Sequence, residues 1–329
     1  MLVPLTALVA GVLAGGVFAS ARLSAPSPAF AAFTAAQPWI VLCFAVWCGL
    51  LLLWAWARPA AWLLFVAVLG GWTLRWGLAW VPWRSEPEGL PLTVLSWNVQ
   101  RLGWQRGADS PVLRCVTEVV TAAKPDALVF LEVSAQDTDR LSAALGLDCA
   151  QIDYAGSGSP SKGGVATCAR GPDFQLRVKK PRRYVETIDW YYVFAEVVGR
   201  GVVFNLLAIH LQPYRLSVES SERISRAQRA ETEALLDTVR TFRDPTIVAG
   251  DFNSVRDSAL HHAMRRSLTD TFERGGWGPG WTVKALGRFP LRIDYVYVSD
   301  DFAVSEATIL PFDCSDHRPV LSRLVLRGP

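Results

Sequence analysis

Polar side chains of the kind that catalysis uses stand at the ends of apolar segments in this sequence. The segment "IVAGDFNSV" (Ile247 to Val255) closes with a carboxylate, Asp251, and an amide, Asn253. Residues two apart on a strand point to the same face, so these two side chains are expected side by side, with Phe252 facing away. A turn that uses Asp and Asn for local hydrogen bonds is the structural alternative. A carboxylate beside an amide suits a site for a cation and a phosphoryl or acyl oxygen.

Five other apolar segments carry such groups at one end. Each segment is expected to be a strand, and each polar group is an Asn, Glu, Asp or His. One or two of these endings could be accidental, but their repetition predicts a single convergent pocket. The groups are Asn98, Glu132, His210, Asp294, and Asp316 together with His317.

The elements that position these groups follow from the spacing of apolar residues. The segment "VLRCVTEVVTAA" (Val112 to Ala123) has helical spacing, and a long charged helix is expected around Val218 to Arg243. Apolar or alternating runs predict the strands between the helices. We expect these strands at "LTVLSWNVQ", "PDALVFLEVS", "GGVATCAR", "YYVFAEVV", "GVVFNLLAIHL" and "RIDYVYVS", with a last one after His317.

The N-terminal region is apolar and rich in tryptophan, holding nine of the 14 in the chain. Gln37 to Ala57 carries no charge, and at 1.5 Å per residue a helix over it would be about 30 Å long, enough to cross a bilayer. Pro59 to Trp83, interrupted by Arg75, is a second candidate span, and Leu2 to Ser20 is a third. A cleaved signal in place of the third span, or a soluble helical domain, is the alternative.

This division of the chain predicts three parts. Residues 1–83 form a membrane region with about three transmembrane helices, and residues 84–91 form a linker. Residues 92–329 form a catalytic domain, whose few excess positive charges argue against a basic surface for duplex nucleic acid. The six cysteines are scattered without a C-x-x-C pair, so metal–thiolate binding is disfavoured. Buried free thiols are the favoured interpretation, and a disulfide stays open.

The motifs, taken in order, resemble the endonuclease/exonuclease/phosphatase superfamily, which includes DNase I-like nucleases, sphingomyelinases and inositol-polyphosphate phosphatases. The matching pieces run from about Leu92 to Leu326 and read "SWNV", "PDALVFLEV", "IHLQP", "GDFNS", "RIDYVYV" and "SDHRPV". The resemblance implies an α/β fold, a four-layer sandwich of two packed mixed β-sheets flanked by helices, here preceded by transmembrane helices. One departure is Leu131, where the family often has Gln, and it affects the role of Glu132 little.

The order of membrane helices and catalytic domain also resembles bacterial membrane proteins associated with vancomycin and teicoplanin resistance. That likeness rests on architecture. It implies a multi-pass protein of the cell membrane with an extracytoplasmic catalytic domain. The sidedness rests on this likeness alone, because the charges around the apolar segments are too few to set the orientation.

A phosphoester hydrolase needs a hard divalent cation, and Mg²⁺ or Mn²⁺ suits carboxylate and amide oxygens. Glu132 is the principal ligand expected, and Asn98 and Asp316 would complete or support its shell. A strand-end salt bridge is the structural alternative for Glu132.

The remaining groups are expected to act on the phosphate. Asp251 would orient or deprotonate the attacking water, and Asn253 would donate its amide to a phosphoryl oxygen. His317 would contact the phosphate and, by the resemblance, pair with Asp294. His210 would be a second phosphate contact or a proton donor to the leaving oxygen. Structural roles are the alternatives for both histidines.

Three functions fit these residues. The favoured one is a membrane-anchored, metal-dependent phosphodiesterase or phosphatase acting on a lipid-linked phosphate at the membrane surface. A membrane-tethered nuclease for extracytoplasmic DNA or RNA is the alternative, and a receptor that only binds a phosphorylated ligand is the third. The intact set of polar groups argues against the receptor.

Overall fold

A computed structural model describes residues 2–20, 28–53, 58–83, 88–100, 111–153, 163–183, 191–213, 218–285, 289–312 and 314–328. Three apolar helices come first. Strands and amphipathic helices then alternate to the end of the chain. This order is the one expected for an α/β domain that follows a helical N-terminal region.

The N-terminal helices are α1 (Leu2–Ser20), α2 (Pro28–Leu51) and α3 (Arg58–Trp72). A π-helical turn and a 3₁₀ turn prolong α3 as far as Trp80. Two segments of the described residues are long and apolar enough to cross a membrane, Phe33–Leu51 and Pro59–Trp80. The sequence predicted three spans. The third, over α1, is not among these two candidates and stays a prediction.

Side-chain hydrogen bonds set the directions of these helices. Trp47 Nε1 donates to Thr6 Oγ1 and Gln37 Nε2 donates to Gly16 O, both at 3.5 Å, so α1 and α2 are antiparallel. Trp72 Nε1 donates to the carbonyl of Pro38 at 2.9 Å. The first half of α2 and the end of α3 therefore lie together, where the chain leaves the helical region for the sheets.

The described strands form two six-stranded sheets and a short hairpin. The first sheet contains β1 (Leu90–Asn98), β2 (Ala127–Val133), β3 (Leu147–Asp153), β4 (Gly164–Arg170), β13 (Phe302–Ile309) and β14 (Val320–Leu326), in the order β13-β14-β1-β2-β4-β3. The second contains β5 (Phe174–Arg183), β6 (Tyr191–Gly199), β7 (Val202–His210), β8 (Thr246–Asp251), β9 (Thr269–Asp270) and β12 (Asp294–Val298), in the order β5-β6-β7-β8-β12-β9. The hairpin pairs β10 (Val283–Ala285) with β11 (Phe289–Leu291).

The sheets pack face to face, with helices outside. The inner core takes alternate residues from both sheets, such as Val94 and Val129 from the first and Leu206 and Val296 from the second. Two outer cores lie under the helices α4 (Pro111–Ala123), α5 (Ala135–Leu145), α6 (Val218–Arg240), α7 (Ala259–Met264) and α8 (Thr271–Gly275). This confirms the four-layer α/β sandwich predicted from the sequence.

A parallel strand pair lies inside each sheet. β1 pairs in parallel with β2 across the connection that contains α4, and β7 pairs in parallel with β8 across the connection that contains α6. The other strand pairs among the described residues are antiparallel. Parallel neighbours end at the same edge of a sheet, where α/β proteins bind ligands. The fold therefore brings the last residues of four strands to one end of the sandwich.

The boundaries differ from the sequence prediction in small ways. The first strand begins at Leu90, inside the expected linker, and residues 84–87 of that linker lie outside the described residues. The long charged helix ends at Arg240 instead of Arg243. The strands β3, β5, β9, β10, β11 and β13 were not predicted from the sequence.

Four cysteines are paired, which corrects the interpretation as free thiols. Cys149 and Cys168 lie directly opposite each other on β3 and β4 and form a disulfide. Cys115, on α4, is bonded to Cys314, which is distant by 199 residues in sequence. These pairings depend on strand register and on helix packing, which the spacing of cysteines in the sequence does not reveal.

Candidate active site

The candidate site continues the inward-facing rows of the inner core beyond the end of the sandwich. His210 follows Ala208 with the two-residue period of β7, and Asp251 follows Ala249 in the same way on β8. Asp294 begins β12 directly opposite Asp251. All three polar residues are buried. The strand period that fills the core with apolar groups thus also points these groups to a common place.

Glu132 reaches the site through a β-bulge. The inward row of β2 ends at Leu131, so regular pleating would turn Glu132 to the outer face. Glu132 instead has a left-handed backbone, with φ 57°, and the register with β4 shifts around it. Such a bulge re-aims one side chain. Gly163 lies against it with φ 67°, and a Cβ there would come within 2.6 Å of the Glu132 carbonyl carbon.

Asn98 connects the two sheets at the site. Its Nδ2 donates to Glu132 Oε1 at 3.2 Å and to Asp251 Oδ2 at 3.1 Å. Its Oδ1 accepts a hydrogen bond from the backbone N–H of Gln100 at 3.0 Å, which fixes the orientation of the amide. Asn98 thereby holds a carboxylate of each sheet within reach of the other.

The stretch from Asp251 to Asn253 is a turn and not the end of a straight strand. β8 ends at Asp251, and Asn253 has φ 46°. The backbone N–H of Asn253 donates to Asp251 Oδ1 at 2.8 Å, and its Nδ2 donates to Leu211 O at 2.8 Å. Phe252 faces away into the outer core, as the sequence predicted. The acid and the amide are therefore neighbours through turn chemistry, the alternative considered from the sequence, and not through the strand period.

His317 lies opposite the second sheet and pairs with its buried carboxylates. Its Nδ1 donates to Asp294 Oδ2 at 2.8 Å, and its Nε2 lies 3.8 Å from Asp251 Oδ2. His210 Nε2 lies 3.6 Å from that same Asp251 oxygen. Oδ2 of Asp251 thus accepts a hydrogen bond from Asn98 and also lies close to two imidazoles.

Asp316 takes a different position from the rest. Its side chain is exposed, and its Oδ1 accepts a hydrogen bond from Ser315 Oγ at 3.3 Å. The other predicted groups are joined by the contacts given above, whereas Asp316 approaches them at the rim, through Ser315. Its role in a metal shell stays a prediction.

The electrostatics of the site separate its ionisable groups. Burial and the neighbouring Asp294 raise the pKa of Asp251 to about 7. Burial disfavours the charged form of His317, but Asp294 and Asp251 outweigh it and raise the His317 pKa to about 10. Burial, reinforced by the charge of His317, lowers the pKa of His210 to about 3. At neutral pH the site therefore contains one cationic and one neutral histidine beside a carboxyl that titrates near neutrality.

The donor set suits a hard divalent cation. Oxygen ligands dominate, and acidic groups outnumber the one cationic histidine. Asp294 Oδ1 is buried and has no hydrogen-bond partner among the described residues. Ligand atoms of Asp251, Asp294 and His317 all lie within 4.8 Å of one another. Glu132 with Asn98, the pair predicted from the sequence, fits a cation by its chemistry. Of the second group, the two carboxylates also do so, whereas His317 is protonated at neutral pH and has no free lone pair for a metal.

The model of the endonuclease/exonuclease/phosphatase family matches residues 95–317, which is most of the chain and includes every group described above. The chain belongs to this family. Members of the endonuclease/exonuclease/phosphatase family hydrolyse phosphoester bonds and generally use divalent metals. They include phosphatases, phosphodiesterases and nucleases. No curated protein sequence matches the chain.

Solved structures of the endonuclease/exonuclease/phosphatase family share the fold. A family member from Bacteroides thetaiotaomicron is 20% identical, with a TM-score of 0.60 over 74% of this chain and 100% of that one. A mannosyl-6-phosphatase from the same bacterium is 19% identical, with a TM-score of 0.59 over 71% and 99%. D. rerio TDP2 complexed with a single-stranded DNA product is 16% identical, with a TM-score of 0.56 over 71% and 98%.

Sequence reasoning missed the groups that hold the family's terminal "SDH" segment in place. Ser315 Oγ donates to the carbonyl of Asn98 at 2.8 Å and accepts from the His317 N–H at 3.2 Å. Trp97 Nε1 donates to the carbonyl of His317 at 2.9 Å. Trp97 stands in "SWNV" and Ser315 in "SDH", so the motifs themselves contained the signal. Each motif supplies one group facing the site and one group that fixes the other motif.

Proposed function

We propose that the chain is a divalent-metal-dependent phosphoester hydrolase, a phosphodiesterase or phosphatase, anchored in a membrane and acting on a lipid-linked phosphate. One observation carries the catalytic part of the proposal. The buried carboxylate of Asp251 is shared by Asn98, His210 and His317 at the end of the sandwich, and its pKa of about 7 lets it exchange a proton near neutral pH.

Asp251 is the group that accepts the proton of the attacking water. Two hydrogen bonds orient its carboxylate, from Asn98 Nδ2 to Oδ2 and from the Asn253 backbone N–H to Oδ1. They leave the proton-accepting atom in a fixed position, which is what general-base catalysis requires. The second N–H of the Asn253 side-chain amide is the donor to a phosphoryl oxygen.

His317 stabilises the charge that develops on the phosphate. Asp294 holds its imidazolium through Nδ1, so Nε2–H faces the Asp251 side of the site as a cationic donor. His210 is neutral near pH 7 because its pKa is about 3. A neutral imidazole orients Asp251 or contacts the phosphate, and it is a weaker candidate than His317 for protonating the leaving oxygen.

Mg²⁺ or Mn²⁺ is the cofactor in this proposal. Glu132 and Asn98 would hold it, with Asp316 in support. A bound cation would neutralise the phosphate and acidify a water molecule.

The membrane part of the proposal rests on the helical region. Two described segments, Phe33–Leu51 and Pro59–Trp80, have the length and composition of membrane spans. Two disulfides in the sandwich favour an oxidising compartment, and hence a catalytic domain outside the cytoplasm. This arrangement agrees with the resemblance to membrane proteins associated with vancomycin and teicoplanin resistance, which stays a prediction.

The catalytic groups do not select the alcohol of the phosphoester, and the proposal for it rests on the membrane anchor. Among the similar structures, one is named a mannosyl-6-phosphatase and another is bound to a single-strand DNA product, so the shared fold serves several alcohols. An anchored site meets lipid phosphates at the membrane surface. A membrane-tethered nuclease is the second candidate, because of the DNA-bound relative, but the near-neutral charge of this chain disfavours it.

The proposal is tested on the purified full chain in detergent. After chelation we expect no hydrolysis of an aryl phosphodiester or monoester, with activity restored by Mg²⁺ or Mn²⁺. Full activity in excess chelator would refute the metal. A panel of lipid phosphates and nucleic acids, assayed side by side, then identifies the alcohol, and DNA or RNA binding that weakens steeply with salt would support the nuclease.

A further inference from the structure

The loop "GWGPGW" (Gly276 to Trp281) joins α8 to the hairpin beside the active site, and nothing in the proposed chemistry uses it. Its two tryptophans are among the most exposed large apolar side chains of the sandwich. Trp277 is 72% exposed and Trp281 is 36% exposed. Two neighbouring indoles exposed to water are unfavourable, and such an apolar patch indicates a surface that binds a partner.

The loop is in contact with the end of the candidate membrane spans. The backbone N–H of Gly278 donates to Trp80 O at 2.8 Å, and Trp80 is the last residue of the second span. The Trp281 ring lies 5.8 Å from that of Trp39, which belongs to the first span. The Trp39 ring in turn lies 6.0 Å from that of Trp80.

These tryptophans share one level of the structure. Trp39, in the first half of α2, lies beside Trp80 at the end of the second span, so each span has a tryptophan next to the loop. Indole rings favour the boundary between headgroups and hydrocarbon, where the ring is apolar and the N–H stays near water. Leu78 and Trp83, 40% and 55% exposed, extend the apolar surface along the same segment.

Polar contacts of Asp257 attach the end of the helical region to the sandwich next to the loop. Trp76, which is buried, donates through Nε1 to Asp257 Oδ2 at 2.7 Å. Arg75 NH2 lies 2.9 Å from Asp257 Oδ1. The loop itself wraps Phe272, and Gly280, with φ 67°, leaves no space for a Cβ against that ring.

We propose that the loop Gly276 to Trp281 inserts Trp277 and Trp281 into the headgroup region of the bilayer beside the spans. The inference rests on the membrane anchoring proposed above and adds a second point of membrane contact, made by the catalytic domain itself. The partner is the lipid surface, since the patch is continuous with the ends of two membrane spans.

The contact sets the position of the catalytic pocket. Trp281 is followed by Thr282, whose Oγ1 accepts from the backbone N–H of Asp294 at 3.3 Å and whose carbonyl accepts from Arg318 N at 2.7 Å. The next residue, Val283, pairs with His317. A loop fixed at the headgroup level therefore holds the Asp294–His317 pair close to phosphates at the membrane surface.

The test is a depth measurement that needs no substrate. In a full chain with Cys43 and Cys48 replaced by Ala, single cysteines are introduced as Trp277→Cys, Val46→Cys and Asp237→Cys. Each is given a nitroxide label, and the protein is reconstituted in phosphatidylcholine vesicles. Val46 is a lipid-facing position within the first span, 58% exposed, and Asp237 is an exposed position on α6.

The label at position 277 is expected to collide with dissolved oxygen more, and with an aqueous nickel complex several-fold less, than the label at 237. Its depth should lie between those of 237 and 46. An aqueous label at 277 with a bilayer-embedded label at 46 overturns the loop insertion alone. An aqueous label at 46 overturns the anchoring, and a label at 277 shielded from both reagents indicates a protein contact instead of lipid.

Discussion

The second sheet carries two buried charged clusters, and they are built on opposite rules. The candidate active site lies at the ends of its strands, on the inner face. The other cluster lies on the outer face, where Arg292 pairs with Asp270 and Glu273 pairs with both Arg256 and Arg265. We call these residues the outer ion-pair cluster.

The outer ion-pair cluster matches each carboxylate with a guanidinium. Arg265 NH1 lies 2.6 Å from Glu273 Oε1, and the guanidinium of Arg292 also lies over the ring of Tyr295, 4.5 Å from its centroid. In the active site, Asp251 and Asp294 share a single cationic partner, His317. Acid is therefore in excess in one cluster and balanced by arginine in the other.

The difference appears in how the carboxyl groups titrate. Burial acts to raise the pKa of Glu273, but Arg256 and Arg265 outweigh it and lower the pKa to about 2. Asp251, whose side chain is more deeply buried, has a pKa raised to about 7 by burial and by Asp294. Two guanidiniums keep Glu273 ionised. Burial raises the pKa of Asp270, and Arg292 acts against that rise, whereas Asp251 has no arginine partner and can exchange protons near neutral pH. The imbalance distinguishes the reactive cluster from the structural one.

The largest effect should come from removing the shared carboxylate. Asp251→Ala is expected to lower turnover of an aryl phosphodiester by about 10³-fold, since a positioned base contributes about 10²–10⁴-fold. The fold should persist, because the change removes a buried acid that lacks an arginine. Turnover is measured in saturating Mg²⁺, with circular dichroism as the check on folding.

Asp270→Asn is the matched control for that change, in the outer ion-pair cluster. It should reduce stability while leaving turnover per folded molecule close to that of the parent. Equal turnover in Asp251→Ala and the parent would remove Asp251 from the mechanism.

A large effect on stability is expected from breaking a balanced pair. Arg292→Met leaves Asp270 buried without its guanidinium partner, which should cost about 3–5 kcal/mol. Urea unfolding in detergent measures the loss. Arg323→Ala, at a side chain that is 57% exposed and pairs with Glu306, should cost about 0–1 kcal/mol. Similar losses in the two variants would contradict the structural role of the outer ion-pair cluster.

The sequence predicts the residues of the candidate active site much better than those of the outer ion-pair cluster. Asn98, His210 and Asp251 could be placed because each continues an apolar strand with a period of two, and that period is written in the sequence. Glu132 was predicted from its motif alone. Strand parity points it outward, and the bulge that re-aims it depends on Gly163 of a different strand.

The outer ion-pair cluster has no comparable signal. Arg256 lies in a turn, Arg265 directly follows α7 and Glu273 is in α8, so they meet only through tertiary packing. The disulfides were missed for the same reason. Local periodicity therefore predicts which face a residue occupies, and it cannot predict which distant residue lies opposite.

Stability of the metal-free protein should depend on pH in opposite ways through the two clusters. Asp251 has a folded-state pKa of about 7 against an ordinary value of 3.8. Its ionised form therefore destabilises the folded state, and stability falls as pH rises from 3.8 through 7. Glu273, with a folded-state pKa of about 2 against 4.5, stabilises above pH 4.5, and that contribution is lost as pH falls through 2.

Substitution with amides separates the two contributions. In excess chelator, Asp251→Asn should gain stability over the parent as pH rises, up to about 4 kcal/mol near pH 7, and Glu273→Gln should lose stability over the parent above pH 4.5. Denaturant midpoints measured from pH 4 to 8 give both differences. Parallel curves for the parent and Asp251→Asn would mean that Asp251 titrates at an ordinary pKa.

The smallest effect sharpens the comparison at Ser315, where neutral hydrogen bonds fix the position of the candidate active site. Ser315→Ala removes the bond to the Asn98 carbonyl and the bond accepted from the His317 N–H. Trp97 Nε1 still holds the His317 carbonyl, so the segment should stay in place at a cost of about 1 kcal/mol.

Turnover of Ser315→Ala should fall about tenfold, since a loss of about 1.4 kcal/mol in positioning has that effect on rate. Ser299→Ala is the control, because it removes a hydroxyl that likewise makes two bonds, donating to Asp301 Oδ2 at 2.6 Å and accepting from the Thr246 N–H at 3.0 Å. A loss of turnover in Ser315→Ala as large as that in Asp251→Ala would mean that Ser315 acts on substrate directly, and an unchanged rate would mean that Trp97 alone positions His317.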